Sequence, residues 1–233
     1  MESWMSLNLI IDADDTLWEN NIYFERAFDE FVDYLDHSTL SPREIRDVLD
    51  EIERINSKLH GYGSKNFGRN LVQCYQHLME RHISESTART ITGFAERILE
   101  QPLELIDGVV ETLEYLARRH SLTLFTKGNP EEQKLKIDGS GLAPFFAHAA
   151  IVKEKDVTAY RLLCASRDLD PSATWMIGNS PKSDINPALA AGMNAVFIPH
   201  SRTWILEKEE IAASGQPGEF LQLESFRELQ VRF

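Results

Sequence analysis

The segment Leu7-Asn8-Leu9-Ile10-Ile11, followed directly by Asp12-Ala13-Asp14-Asp15-Thr16-Leu17, is the most informative part of this chain. An apolar run of this length that ends abruptly in acidic residues predicts an interior strand whose carboxyl end opens into a site. Side chains two residues apart in an extended segment share a face, so we expect Asp12, Asp14 and Thr16 to point the same way. An acidic turn that caps the next helix is the plainer interpretation, but capping does not require carboxylates after a fully apolar strand.

Carboxylates held this close together predict a cation. They repel each other and raise a pKa unless a cation or a shared proton relieves the repulsion. A divalent metal provides that relief at neutral pH, and hard oxygen ligands suit Mg²⁺. The sequence therefore predicts a magnesium site at the end of the first strand.

Length and charge limit the classes of function. The chain has 233 residues, which is enough for one large domain or for a core with a smaller insert, and 42% of them are hydrophobic. Its net charge is −13, from 24 basic and 37 acidic side chains. A surface this negative disfavours nucleic acid and anionic membranes as partners. It also repels a phosphorylated substrate, so a site for one must carry its own positive charge.

The two cysteines indicate no disulfide framework and no metal site. Cys74 and Cys164 lie far apart in helical-looking sequence, which is typical of reduced, buried thiols in a cytoplasmic protein. No signal peptide is expected before the first strand, and no stretch has the length of a membrane span. We therefore expect a cytoplasmic protein, and either a monomer or a homodimer fits the sequence.

Residues 18–100 have a helical pattern with almost no strand signal. Apolar residues recur at steps of three and four, as in a bundle of four helices. Ser41-Pro42 is typical of a helix start, and Gly61-Tyr62-Gly63-Ser64-Lys65 is typical of a loop. Two further helices are predicted over residues 71–81 and 85–99.

From residue 101 onward, helices alternate with strands, which predicts a parallel sheet with helices on both faces. An edge strand and a short helix are expected within residues 220–229. The predicted fold class is α/β, with a Rossmann-like, doubly wound parallel sheet as the core and an inserted helical-bundle cap. Residues 1–17 and 101–233 form the core domain, and residues 18–100 form the cap. The expected strands cover residues 7–11, 122–125, 149–152, 174–177 and 195–198.

Polar candidate residues follow four of these five strands, at the edge of the sheet where ligands bind in open α/β folds. Thr126-Lys127-Gly128 comes before a helix that starts at a proline, which is typical of a phosphate-binding turn. Lys153 and Lys155 follow the next strand, and the position of Lys155 at the start of a helix favours it. Asp184 starts another helix. Each feature alone also fits an ordinary turn, a surface charge cluster or a helix cap, but their combination on one edge favours a site.

These residues resemble the motifs of the haloacid dehalogenase superfamily, in the branch with a helical cap after the first strand. The D-x-D-x-T motif corresponds to Asp12, Asp14 and Thr16. The family's hydroxyl residue corresponds to Thr126, its lysine to Lys155, and its last motif to the segment from Gly178-Asn179 to Asp184. This chain departs from the pattern in two ways. Asn179 replaces the usual acid, and the lysine lacks the proline that commonly follows it.

The resemblance implies phosphoryl transfer through an aspartyl-phosphate. Asp12 would be the nucleophile, Asp14 the general acid and base, and closure of the cap would exclude water. The implied phosphoryl-binding residues are Thr126, Lys127, Gly128 and Lys155. The implied magnesium ligands are Asp12, Asp14 through its main-chain carbonyl, Asp184 and Asn179.

Four functions are consistent with this resemblance. We favour a magnesium-dependent phosphatase acting on a small phosphorylated metabolite. A phosphomutase, a 2-haloacid dehalogenase and a non-catalytic ligand-binding protein are the alternatives. In the family that the chain resembles, the 2-haloacid dehalogenases lack the second aspartate. The presence of Asp14 therefore favours the phosphatase. Asn179 is the feature that favours a non-catalytic member.

Overall fold

Two units make up the part of the chain that the structure, a computed structural model, describes: residues 6–79 and 82–233. The first unit contains the chain up to Glu19 together with Leu103–Phe233, and the second contains Asn20–Pro102. The boundaries between the units, after residues 19 and 102, each lie two residues beyond the predicted boundaries after residues 17 and 100. The expectations about the segment before the first strand and about a helix end at Arg81 fall on residues outside the described ranges.

A parallel sheet of six strands is the centre of the first unit, as the alternating pattern predicted. The strands lie in the order β3-β2-β1-β4-β5-β6, and every neighbouring pair is parallel. This is the strand order of the doubly wound α/β fold, so the predicted fold class is confirmed. The strands are β1 (Asn8–Ile11), β2 (Ser121–Lys127), β3 (His148–Val152), β4 (Thr174–Gly178), β5 (Asn194–Phe197) and β6 (Phe220–Gln222).

The apolar pattern of β1 is explained by burial on both faces of the sheet. Leu9 and Ile11 belong to one hydrophobic cluster, whereas Ile10 belongs to another, which also contains Tyr160. The side chains of Leu9, Ile10 and Ile11 are fully buried. A strand with helices on both sides has no polar face, and it therefore reads as a continuous apolar run.

Helices connect the parallel strands, and several begin at the caps that the sequence indicated. Asn129 accepts hydrogen bonds from the amides of Glu131 and Glu132, and Pro130 occupies the first turn. Asp156 caps the following helix through the amide of Ala159. The helices of this unit are α5 (Val109–Ala117), α6 (Pro130–Ser140), α7 (Val157–Arg167), α8 (Asn186–Ala190) and α9 (Leu229–Arg232).

The second unit is helical, in agreement with the sequence pattern. Ser41 and Glu44 form a reciprocal capping box at the start of its second helix. The predicted loop over residues 61–65 is shorter than expected, because the next helix already begins at Ser64. The last helix ends at Glu96, and a 3-10 turn, Arg97–Glu100, continues the chain. The helices are α1 (Asn21–Leu35), α2 (Pro42–His60), α3 (Ser64–Met79) and α4 (Glu85–Glu96).

Within residues 6–79 and 82–233, none of the helices combines the length and the apolar character that crossing a bilayer requires.

The two thiols lie in different units and provide separate probes of them. Cys74 and Cys164 are both buried and free. Burial raises the pKa of the Cys74 thiol to about 12, and it also raises the pKa of Cys164. We expect neither thiol to react with a disulfide reagent near neutral pH in the native protein, because the reactive thiolate is disfavoured and shielded.

Both thiols should react once guanidinium unfolds the chain. The single variants Cys74→Ser and Cys164→Ser show which unit opens first, because each variant retains the thiol of one unit only. Rapid modification of either thiol in the native protein would contradict the burial.

Candidate active site at the carboxyl edge of the sheet

The ends of β1 and β4 define the candidate site. These two strands are neighbours in the sheet. After β1 the chain adds β2 and β3 on one side of it, and β4 then starts the other side, so a topological switch point lies between β1 and β4. Ligands bind at such points in open α/β sheets. Asp12 directly follows β1, and its amide donates to the carbonyl of Ile177 in β4 at 2.9 Å. Asn179 and Asp184 follow β4. The fold therefore brings residues that lie far apart in sequence to one edge.

Lys155 connects the two carboxylates. Its Nζ contacts Oδ1 of Asp12 and lies 2.8 Å from Oδ1 of Asp184. All three residues are buried, with exposed fractions of 4% for Lys155, 6% for Asp12 and 1% for Asp184. Lys153, the other lysine considered from the sequence, is exposed. The geometry thus places Lys155, rather than Lys153, in the site.

One ammonium group does not balance two buried carboxylates. Burial and the charge of Asp184 raise the pKa of Asp12 to about 7, because Lys155 offsets only part of their effect. Burial alone would lower the pKa of Lys155. The adjacent charges of Asp12 and Asp184 outweigh that effect and keep its pKa above the ordinary value. The cluster therefore carries excess negative charge.

The residues present fit a magnesium ion. Asp12 and Asp184 offer carboxylate oxygens, which are the hard ligands that Mg²⁺ prefers. The pKa of Asp12 is raised first by burial and then by the charge of Asp184, and a divalent cation would supply positive charge that favours its ionised form. The donor chemistry and the charge balance thus agree with the predicted metal.

Thr16 links Asp12 to Asn179. Its hydroxyl donates to Oδ2 of Asp12 at 3.0 Å and lies 3.4 Å from Oδ1 of Asn179. The side-chain amide of Asn179 donates to Oγ1 of Thr203 at 3.0 Å, which fixes its orientation. Asn179 is therefore held close to the nucleophile candidate, and its role as a metal ligand stays a prediction.

Asp14 is held by three donors. Trp18 Nε1 and Lys136 Nζ donate to its Oδ1 at 2.7 and 2.5 Å, and Gln133 Nε2 donates to its Oδ2 at 2.7 Å. Burial alone would raise the pKa of Asp14. The charge of Lys136 and the three hydrogen bonds outweigh burial, so its pKa lies below the ordinary value.

Sequence reasoning missed Gln133 and Lys136. Both lie on α6, three residues apart, so they share one face of that helix. Because α6 follows the strand end at Thr126, the three-residue spacing of Gln133 and Lys136 could have indicated that this helix also turns a polar face to the site.

The turn that carries Asp184 explains the glycine of the last motif. A Cβ atom on Gly178 would lie 2.2 Å from Oδ2 of Asp184, so no other residue fits there unless the turn shifts. The same Oδ2 accepts a hydrogen bond from the amide of Ser180 at 3.0 Å. Pro181–Ile185 forms a π-helical turn in which Asn186 donates to the carbonyl of Pro181.

Thr126, Lys127 and Gly128 lie at the end of β2 as predicted, but two of their polar groups are already engaged. The ammonium of Lys127 contacts Ser183 and Glu207. The amide of Gly128 donates to the carbonyl of Val152 at 3.1 Å. In this conformation, that amide does not point freely toward a ligand. The phosphoryl-binding roles of these three residues stay predictions.

A second cluster contains Asp15, Glu19 and His200. One ligand atom from each lies within 4.8 Å of the others. The imidazole of His200 is 3.4 Å from Glu19 and 3.9 Å from Asp15, distances that suit ion pairs when the histidine is protonated. No local signal in the sequence indicated this cluster, because His200 lies in a loop far along the chain from Asp15 and Glu19.

Comparison with known proteins identifies the family. The family model of haloacid dehalogenase-like hydrolases matches residues 8–192, and the chain belongs to this family. The resemblance inferred from the motifs is therefore confirmed.

Individual relatives agree with this assignment. Phosphoserine phosphatase of Thermus thermophilus is 26% identical over 144 residues, which span 49% of this chain and 58% of the relative. A haloacid dehalogenase-like hydrolase from Xanthomonas campestris has a TM-score of 0.81 at 26% identity, covering 97% of this chain and 94% of that one.

More distant structures share the fold. The HAD hydrolase YfnB from Bacillus subtilis, solved with bound magnesium, has a TM-score of 0.68 at 16% identity and covers 97% of this chain and 98% of its own. Structures of 2-haloacid dehalogenases and of a predicted phosphoglycolate phosphatase also have this fold. At such identities, the likeness shows the fold alone.

Replacing Lys155 by methionine should destabilise the protein strongly. The substitution removes the cation between two buried carboxylates, and loss of one partner from a buried pair costs about 3–5 kcal/mol. Urea unfolding at neutral pH in EDTA measures this free energy. Lys153→Met is the matched control, and it should change stability by no more than about 0.5 kcal/mol because Lys153 is exposed. Equal effects of the two substitutions would contradict the assignment of Lys155.

The raised pKa of Asp12 predicts how stability depends on pH without metal. Between the ordinary value of 3.8 and about 7, the folded state holds a proton that the unfolded state releases. The contribution of Asp12 to the free energy of unfolding therefore falls as pH rises through this window. Asp12→Asn should flatten this part of the curve, measured by urea unfolding in EDTA. A slope identical to that of the wild type would show that Asp12 titrates elsewhere.

Proposed function

We propose that this hydrolase is a magnesium-dependent phosphatase that hydrolyses a small phosphorylated metabolite through an aspartyl-phosphate on Asp12. The main support is the buried contact of one lysine with two carboxylates, Asp12 and Asp184, at the ends of adjacent parallel strands. The matched phosphoserine phosphatase adds support, over the part of its length that the match covers.

Asp12 is oriented for nucleophilic attack. Thr16 holds its Oδ2 and Lys155 holds its Oδ1, so the carboxylate is positioned before a substrate arrives. In the transition state, negative charge spreads over the equatorial phosphoryl oxygens. Lys155 and Thr126 lie at strand ends from which they would stabilise that charge.

A magnesium ion would be held by Asp12, by Asp184 and by the main-chain carbonyl of Asp14, with Asn179 as a further oxygen donor. When bound, the ion supplies positive charge that screens the nucleophile from the phosphoryl group. Asn179 is neutral where the family usually has an acid, so the protein supplies one less negative charge to the metal. The magnesium in the YfnB structure is consistent with this proposal.

Asp14 would exchange protons with the leaving alkoxide and with the water that hydrolyses the intermediate. In the observed arrangement, Lys136 favours the carboxylate form, which is the form required of a base. The acid step requires the protonated carboxyl, which the contact with Lys136 disfavours.

A phosphatase assay tests the proposal directly. The wild type and Asp12→Asn are assayed on p-nitrophenyl phosphate and then on a panel of phosphorylated metabolites, including phosphoserine, with magnesium or with EDTA. We expect phosphate release that depends on magnesium and that Asp12→Asn lowers by at least about 10⁴-fold, because the nucleophile is lost. Asp29→Asn, at an exposed aspartate of α1, is the control that should retain activity.

Three results would contradict the proposal. Halide release from 2-chloropropionate without phosphatase activity would assign a dehalogenase. Turnover that needs a sugar bisphosphate would assign a phosphomutase. Binding of a phosphorylated compound without any turnover would assign the non-catalytic alternative.

A further inference from the structure

Lys127 is the last residue of β2, and two polar side chains hold its ammonium group. Its Nζ donates to Oε1 of Glu207 at 2.5 Å and to Oγ of Ser183 at 2.9 Å. The side chains of Lys127 and Glu207 are 14% and 10% exposed, so this ion pair is largely shielded from water. Burial alone would raise the pKa of Glu207, but the charge of Lys127 and the hydrogen bonds from Lys127, Ser180 and Ser183 together outweigh burial and lower it.

A chain of hydrogen bonds leads from this pair to Asp184. Oε2 of Glu207 accepts from the hydroxyl of Ser180 at 2.6 Å. The same hydroxyl oxygen accepts from the amide of Ser183 at 2.9 Å, and the amide of Ser180 donates to Oδ2 of Asp184 at 3.0 Å. The ion pair therefore reaches the candidate metal ligand through one intervening residue, Ser180.

The turn that carries Asp184 needs such support. It is a π-helical turn, which is a rare and less favourable backbone geometry than the α-helix. Lys127 holds it through Ser183, Glu207 holds it through Ser180, and Tyr160 donates to the carbonyl of Ser183 at 2.8 Å. Because Mg²⁺ demands near-ideal octahedral geometry, the orientation of a ligand carboxylate directly affects metal affinity.

We propose that Lys127 and Glu207 are positioning residues that fix Asp184 for magnesium through Ser180 and Ser183. This inference rests on the magnesium site of the proposed function. It assigns the Lys127 side chain to the support of a metal ligand, whereas the motif alone suggested contact with the substrate.

Magnesium binding, rather than activity, is the primary test. The melting temperature of the full chain is measured against magnesium concentration, because a ligand of the folded state stabilises it according to its dissociation constant. We expect Glu207→Gln to weaken magnesium binding about 10-fold, as loss of a residue that orients a metal ligand typically does. Lys127→Met should have a similar effect, and Lys127→Arg should largely restore binding.

Two further variants separate positioning from general damage. Ser180→Ala removes the hydroxyl that links Glu207 to the turn without leaving a buried charge, and it should also weaken binding. Lys182→Met is the matched control. Lys182 lies in the same turn and bonds the carbonyl of Leu206, next to Glu207, but it is exposed and has no bond to Asp184. It should bind magnesium like the wild type. Equal weakening by Lys182→Met and Ser180→Ala would overturn the proposal.

The kinetics of Glu207→Gln distinguish the two roles considered for this pair. If the pair acts through the metal ligand, saturating magnesium should restore kcat and the KM for substrate. A KM that stays high at saturating magnesium would overturn the inference, because it would indicate a contact with the substrate.

The outcomes also separate this inference from the proposed function. Magnesium binding that is weakened in Glu207→Gln, in a protein without phosphatase activity, would support the positioning role and contradict the phosphatase. Phosphatase activity with unchanged magnesium affinity in Glu207→Gln and Ser180→Ala would support the phosphatase and contradict the positioning role. A wild type whose melting temperature does not respond to magnesium would overturn the inference.

Discussion

The contact of one buried ammonium group with two buried carboxylates is the interaction on which the rest of the site depends. Lys155 offers a single positive charge to Asp12 and Asp184, and burial makes each uncompensated charge costly. The pKa of Asp12 is raised by its burial and by the charge of Asp184, which Lys155 only partly offsets. A cluster with this charge is unfavourable for stability alone, since a buried ion pair rarely stabilises a fold more than apolar packing does. A further cation, which the proposed function requires, would offset the excess negative charge.

The surrounding fold is arranged to hold this cluster. Leu9 and Ile11 pack on one face of the sheet and Ile10 on the other, so β1 is fixed before it reaches Asp12. On the neighbouring strand, Gly178 leaves the space that the carboxylate of Asp184 occupies. Burial thus fixes β1 and β4, from which Asp12 and the turn with Asp184 extend, and the cost of placing like charges together is offset by apolar burial on both faces of the sheet.

The parts of the site that the sequence could predict are those with local signals. The apolar run before Asp12 predicted a buried strand, and the strand-end rule then predicted that Asp184 and a lysine would meet it, since parallel strands present their carboxyl ends at one edge. Glu207 had no such signal. It lies in a long connection between β5 and β6, and only the three-dimensional path of that loop brings it to Lys127. The sequence also did not predict the helix start at Ser64. Gly61 and Gly63 indicate a longer break between helices than the short turn that the structure has there.

The charge balance of the whole site suggests the order in which its ligands bind. The three lysines of the site, Lys127, Lys136 and Lys155, each contact an acidic side chain, so none of them offers a surplus positive charge to a phosphate. Partial protonation of Asp12 brings the total closer to zero but does not make it positive. A phosphate dianion approaching a protein of net charge −13 therefore gains no net attraction until a divalent cation is bound, and the cation then reverses the sign of the site. If the proposed function is correct, magnesium would bind before the substrate, and the support of Asp184 by the Lys127–Glu207 pair would affect substrate binding only through the metal. The groups counted are the carboxylates of Asp12, Asp14, Asp184 and Glu207 and the ammonium groups of Lys127, Lys136 and Lys155.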